Sequence, residues 1–202
     1  MLKLKRLHLE ELEDRFQVLS KEEQETLFGA GSIFVFDSYG NVIDRIENNL
    51  DYDEVRANGS TYVVSGTIQV SNYTLSNNQT GLQIEGGNYD LFKFLAKETN
   101  VEWGAVLSGG LYADGQTDCL MQTSHGHNNC QTSFDCGSFD TFIHSHPPKT
   151  TNTYSPTDAQ AWHEIYNTEG NAIVNFGLYL PESNTIRNYS DDVIFNRLDL
   201  GE

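Results

Sequence analysis

The sequence predicts an α+β domain organised around one mixed β-sheet. Three observations lead there. A charged, helix-patterned segment breaks at Gly29-Ala30-Gly31, and from Ser32 the pattern turns to short β-type runs. Residues 33–36 and 42–46 are apolar-rich runs on either side of Asp37-Ser38-Tyr39-Gly40-Asn41, which is the signature of a hairpin. Beyond residue 89, helical and strand patterns alternate.

Taken in order, residues 1 to about 28 are charged and helical in pattern, with a thin apolar stripe of Leu12, Phe16, Leu19 and Leu27. After the hairpin, residues 48–60 read as polar loop, 61–70 as an alternating strand, and 71–80, rich in Asn, Ser and Thr, as loop. Residues 89–99 carry apolar side chains at 91, 92, 94 and 95, which predicts a short amphipathic helix. A mostly apolar strand follows at 101–109, then a long polar loop or ragged hairpin at 110–138. Residues 141–146 read as a buried strand, 155–167 as a helix, 172–180 as a strand and 184–189 as its hairpin partner. No internal repeat is present.

Composition narrows the classes of function. At 202 residues with 38% apolar content, the chain can bury a core and is not disordered in composition. Its 12 basic and 29 acidic residues give a formal charge of −17, which argues against nucleic acid and anionic membrane as partners. No run of 18 apolar residues could span a bilayer as a helix, and the N-terminus lacks the apolar stretch of a secretory signal peptide. Cys119, Cys130 and Cys136 share one Gly/Ser/Asn/Gln-rich stretch, and an odd count fits either one disulfide plus a free thiol or three reduced thiols.

The chemistry concentrates between residues 142 and 158. On a strand, residues two apart share a face, so His144 and His146 project together while Ile143 and Ser145 face the other way. Pro147 and Pro148 end the strand and leave the pair at its edge. In Ser155-Pro156-Thr157-Asp158, the serine suits an N-cap, the proline the first helical position and the aspartate the third. Alone, that motif merely starts a helix. Beside the histidine pair it also brings the Asp158 carboxylate to a strand end. Two histidines and an aspartate are three ligands for Zn²⁺ with a fourth position open, the pattern of a catalytic site.

The full string His144-x-His146-Pro147-x7-Ser155-x-x-Asp158 resembles the signature of the JAMM (JAB1/MPN) zinc metallopeptidases at every spacing. The stretch Glu102-Trp103-Gly104-Ala105-Val106-Leu107-Ser108-Gly109 resembles the family segment in which a glutamate opens an apolar strand ending in Ser-Gly. Glu98 is its rival, but falls on the preceding helix. The resemblance covers about residues 89–182. It implies a JAB/MPN-like (cytidine-deaminase-like) mixed sheet flanked by helices. It further implies that His144, His146 and Asp158 hold zinc, that Glu102 takes a proton from a zinc-activated water and hands it to the leaving amine, and that Ser155 stabilises the oxyanion. The activity implied is hydrolysis of a peptide or isopeptide bond in a protein or peptide substrate. The rival is a non-catalytic JAB/MPN-fold binding or scaffold module, against which the complete ligand set speaks.

Residues 19–30 resemble a double-glycine leader, the kind read and cut by bacterial ABC exporters. Leu19, Ser20, Glu23, Leu27 and Gly29 stand at the expected offsets from a cut after Ala30, while Gln24 and Ala30 depart from the pattern. The division expected is therefore a leader-like segment at 1–30 and a JAMM-type domain at 31–202, with the 33–46 hairpin as its N-terminal extension. A compact domain behind such a leader is similar to the JAB-like effectors of bacterial polymorphic toxin systems. That implies a secreted protein met by an immunity protein; without the leader, a cytoplasmic one.

Weaker signals remain. Cys119, His125, His127, Cys130 and Cys136 could gather a second metal, but their spacing matches no standard zinc pattern. His163 reads as ordinary surface. The Asn-x-Ser/Thr triplets at 58, 72, 78 and 188 are expected in so Asn-rich a chain and imply no glycosylation.

Overall fold

A computed structural model of the chain describes residues 31–48, 50–75, 77–108, 119–127, 141–150, 154–161 and 175–188. The leader-like segment, Cys130, Cys136 and His163 lie outside the described residues. The expected single sheet is corrected to two sheets, one of four strands and one of seven, each mixing parallel and antiparallel pairs.

The smaller sheet begins as the sequence predicts. β1 (Ser32–Phe36) alternates, with Phe34 and Phe36 inward, and pairs antiparallel with β2 (Val42–Glu47). Asp37 shapes the turn: its Oδ1 accepts the N–H groups of Tyr39 and Asn41 at 2.8 and 2.9 Å. The predicted loop at 48–60 is corrected. β3 (Glu54–Ala57) lies parallel to β1, with Val55 and Ala57 buried between the outward Glu54 and Arg56. β4 (Ser60–Val63) returns through Asn58-Gly59, both with left-handed φ (49° and 80°), the requirement of a two-residue hairpin turn. The sheet order is β2-β1-β3-β4.

The strand expected over 61–70 is in fact two. The chain leaves the small sheet after Val63 and enters the large one as β5 (Gln69–Thr74). Asp53, 2% exposed, holds this crossing: its carboxylate accepts the N–H groups of Ser32 and Ile68. The loop expected at 71–80 is likewise corrected, because β5 forms a hairpin with β6 (Thr80–Gly87).

α1 (Tyr89–Glu98) matches the amphipathic prediction. Asn88 caps it by accepting the Leu91 N–H at 2.8 Å, and Leu91, Phe92, Leu95 and Ala96 are buried. β7 (Gly104–Leu107), β8 (Cys119–Thr123), β9 (Thr141–Ser145), β10 (Asn175–Leu180) and β11 (Thr185–Asn188) complete the large sheet, ordered β11-β10-β9-β7-β8-β6-β5. The central β7 and β9 are buried at every position, which explains the continuous apolar run of β7; β9 instead buries Thr141, His144 and Ser145 among its residues. A second helix, α2, occupies residues 156–161 within the described residues. One core serves both sheets: Phe34, Phe36 and Val55 of the smaller sheet join Ile84 of the larger, Phe92 of α1 and Trp103 just before β7, and the Phe36 and Trp103 rings meet edge-on at 6.3 Å.

Candidate metal centre

β9 is the spine of the site. It lies between β7 and β10, and His144 is opposite Gly104 on one side and Leu178 on the other. The strand ends at Ser145, one residue earlier than predicted, yet the His146 N–H still reaches the Tyr179 carbonyl at 3.4 Å. Both histidines are buried, 5% and 6% exposed, and their rings lie 5.3 Å apart. The shared face expected from their spacing is what brings them together.

Asp158 arrives from the start of α2. The Ser155 N–H donates to its Oδ2 at 2.6 Å, and the Asp158 N–H donates to the Ser155 Oγ at 3.2 Å. This reciprocal cap is the structural role that Ser-Pro-Thr-Asp predicts. The same carboxylate places Oδ1 3.4 Å from His144 Nε2 and Oδ2 3.6 Å from His146 Nε2. Burial pushes its pKa up, but the two imidazoles and the Ser155 N–H outweigh burial and hold it well below the ordinary carboxylate range.

The donor set fits a metal ion on two counts. One ligand atom from each of His144, His146 and Asp158 falls within a 4.8 Å span. Ligands about 2.0–2.1 Å from a tetrahedral centre stand roughly 3.3 Å apart, close to the two histidine–aspartate separations. Among the described residues neither nitrogen of the buried His144 ring has a hydrogen-bond partner. Burying such a group without compensation is costly, and an ion between Nε2 and the carboxylate would supply it.

Glu102 sits two residues before β7, which opens at Gly104 and not at 101 as predicted, so the glutamate precedes the strand that the resemblance has it open. Its carboxylate Oε1 lies 4.0 Å from His146 Nε2. It is 6% exposed, and its pKa is pushed up to about 7 by burial; His146 opposes the rise and the Asp158 carboxylate adds to it. The rival Glu98 belongs to the last turn of α1, outside this cluster. Ser155 is half-buried at the α2 cap.

Residues 82–170 match the family model of JAB-like toxin 1. The matched stretch holds Glu102, His144, His146, Ser155 and Asp158 and leaves the smaller sheet outside it. No curated protein and no solved structure matches the chain.

Within the matched stretch, several residues that sequence reasoning passed over hold the candidate groups in place. Thr123, fully buried at the end of β8, donates its hydroxyl to the Glu102 carbonyl at 2.7 Å, and the Glu102 N–H donates to the Gly126 carbonyl at 2.9 Å. Ser145, between the two histidines, ties their strand to the segment after Glu102. Its Oγ accepts the Trp103 N–H at 3.1 Å, and its own N–H donates to the Trp103 carbonyl at 2.8 Å. Ser145 was legible as the residue facing away from the histidines; nothing in the sequence singled out Thr123. Tyr154 anchors the approach to Ser155 by donating its hydroxyl to the Arg187 carbonyl of β11.

The described members of the weaker cluster serve other ends. His125 and His127 each engage a backbone carbonyl through Nδ1, those of Tyr39 and Asn100, at 2.9 Å. Cys119 is buried on β8, and burial pushes its thiol pKa up, away from the reactive thiolate. Among the described residues the group able to hold a metal is His144, His146 and Asp158.

Proposed function

We propose that this chain is a zinc-dependent peptidase or isopeptidase of JAMM type, acting as a toxin or effector on a protein target. The observation that carries the reading is the convergence of two buried imidazoles and one carboxylate, with a second carboxylate of raised pKa 4.0 Å from His146. The match to JAB-like toxin 1 over the same residues supports the effector role.

His144, His146 and Asp158 would hold the ion. Bound there, Zn²⁺ supplies a Lewis acid and brings the pKa of a water to about 7. Glu102 acts as general base and then general acid. Its carboxylate, beside His146, would accept a proton from the attacking water and return it to the leaving amine. Its low exposure keeps bulk water from competing for that proton. Ser155 keeps its hydroxyl proton while the oxygen accepts from Asp158, so that O–H can donate to the carbonyl oxygen as charge develops there. A purely binding module would gain nothing from burying Glu102 beside a second carboxylate.

Export behind the leader at 1–30, with an ABC exporter and a cognate immunity protein as partners, is part of the same proposal. It rests on the leader-like residues and on the effector family. Incubating the purified chain and its Glu102→Gln variant with a peptide library tests the catalytic core. Cleavage at defined bonds by the parent and not by the variant is the result expected; equal cleavage by both, or by neither with zinc bound, would overturn it.

A further inference from the structure

The two sheets part along a cleft of about 470 Å³ that lies apart from the metal centre and is walled in part by core side chains. Phe34, Val42 and Leu82 give it apolar walls, and Arg45, Asn72 and His125 bring polar groups to it. This size and mixture are those of small-ligand sites, which favour the seams between structural units.

The chemistry of the lining is specific. The chain carries 29 acidic residues, yet none of the ten residues lining the cleft is acidic. Arg45 is fixed in place: its Nε and Nη2 donate to the Ser32 Oγ at 3.3 and 3.2 Å, and its guanidinium lies over the Phe34 ring at 5.3 Å. It has no carboxylate partner among the described residues. The nearby Asp37 is occupied at the β1–β2 turn by Asn41 and Tyr39. The guanidinium thus keeps unspent donors beside a cleft of mixed apolar and polar lining, held by a hydroxyl and a ring. Such a fork recognises a carboxylate, and the apolar walls recognise an aliphatic group attached to it.

We propose that this cleft binds a carboxylate borne on an aliphatic segment of a peptide, with Arg45 as the anion-binding residue. The carboxylate could belong to a peptide C-terminus or to an acidic side chain next to an aliphatic one.

The test is a titration of the isotope-labelled full chain by NMR, with the carboxylate-free chelator 1,10-phenanthroline present so that no metal competes for the carboxylate. The probes are acetyl-Ala-Leu as free acid, the same dipeptide as C-terminal amide, and acetyl-Leu-Glu-Leu-amide. The free acid, the glutamate peptide or both should shift the amide signals of Arg45, Asn72 and His125 and leave those of His144 and Asp158 in place. The neutral amide should not. The carboxylate probe that binds more tightly identifies the source. Arg45→Gln should weaken that probe on the order of tenfold or more, the loss expected for hydrogen bonds to a charged group. Equal binding of the neutral amide, no binding of either carboxylate probe, or shifts confined to the metal centre would overturn the proposal. The mapping on the unsubstituted chain decides the matter even if Arg45→Gln folds poorly.

Discussion

Glu102→Gln should stabilise the metal-free protein at alkaline pH and leave it unchanged at acid pH. Burial raises the Glu102 carboxyl from an ordinary 4.5 to about 7. A carboxyl with a raised folded pKa contributes stability that is fully present below the unfolded value and is lost as pH climbs through the folded one. Here the loss runs from about 4.5 to about 7. At 1.36 kcal/mol per pH unit, the difference amounts to roughly 3 kcal/mol. At 6% exposure, solvent screens little of it. Glutamine is neutral throughout and escapes the loss, although it forgoes the attraction to His146. The assay is urea unfolding of both proteins in EDTA, at about pH 5 and about pH 8. Taking the difference between proteins cancels the titration of groups that do not touch Glu102, and Asp158, whose pKa is lowered, titrates on the acid side of the window. The variant should gain on the parent by about 1–3 kcal/mol between the two conditions. No gain, or a relative loss, would mean that burial does not hold the Glu102 carboxyl in its raised state.

Three other perturbations separate the parts of the account. Asp158→Ala removes the carboxylate shared by both histidines and should lower zinc affinity and activity together; unchanged zinc retention by equilibrium dialysis would reassign the third ligand. Asn88→Ala removes the α1 cap and the partner of the Tyr62 hydroxyl, and should cost about 0.5–2 kcal/mol in urea unfolding with zinc affinity unaltered. A chain beginning at Gly31 should fold, bind zinc and melt within a few degrees of the full chain. A fall of more than about 10 °C, well beyond the 2–4 °C expected per kcal/mol at this size, would make residues 1–30 structural.

The site was more legible than the frame around it. His-x-His on a strand and Ser-x-x-Asp at a helix start are local devices: strand alternation sets the first and cap geometry the second, so spacing alone places four of the five candidate groups. Glu102 is 42 residues before His144, and what brings it alongside is the β7–β9 pairing together with Thr123 and Gly126, which no local pattern announces. The small sheet was harder for another reason. β3 has four residues and only Val55 and Ala57 inward, so its signal sank among the polar residues of 48–60. Residues 61–70 hid a change of sheet, because Ser65-Gly66-Thr67 interrupts no run of apolar residues long enough to register. The β5–β6 hairpin was missed because β5 is an edge strand made largely of polar, exposed residues.

The central claim is that ligands and proton carrier are different residues of one metal site. Elemental analysis of the parent, His144→Ala and Glu102→Gln chains, purified without chelator and assayed for cleavage of one library-selected peptide, tests it most directly. The parent and Glu102→Gln should each hold about one zinc per chain and His144→Ala little, and only the parent should cleave. A parent chain that holds no zinc after zinc is supplied, or a Glu102→Gln chain that loses zinc as His144→Ala does, would contradict it.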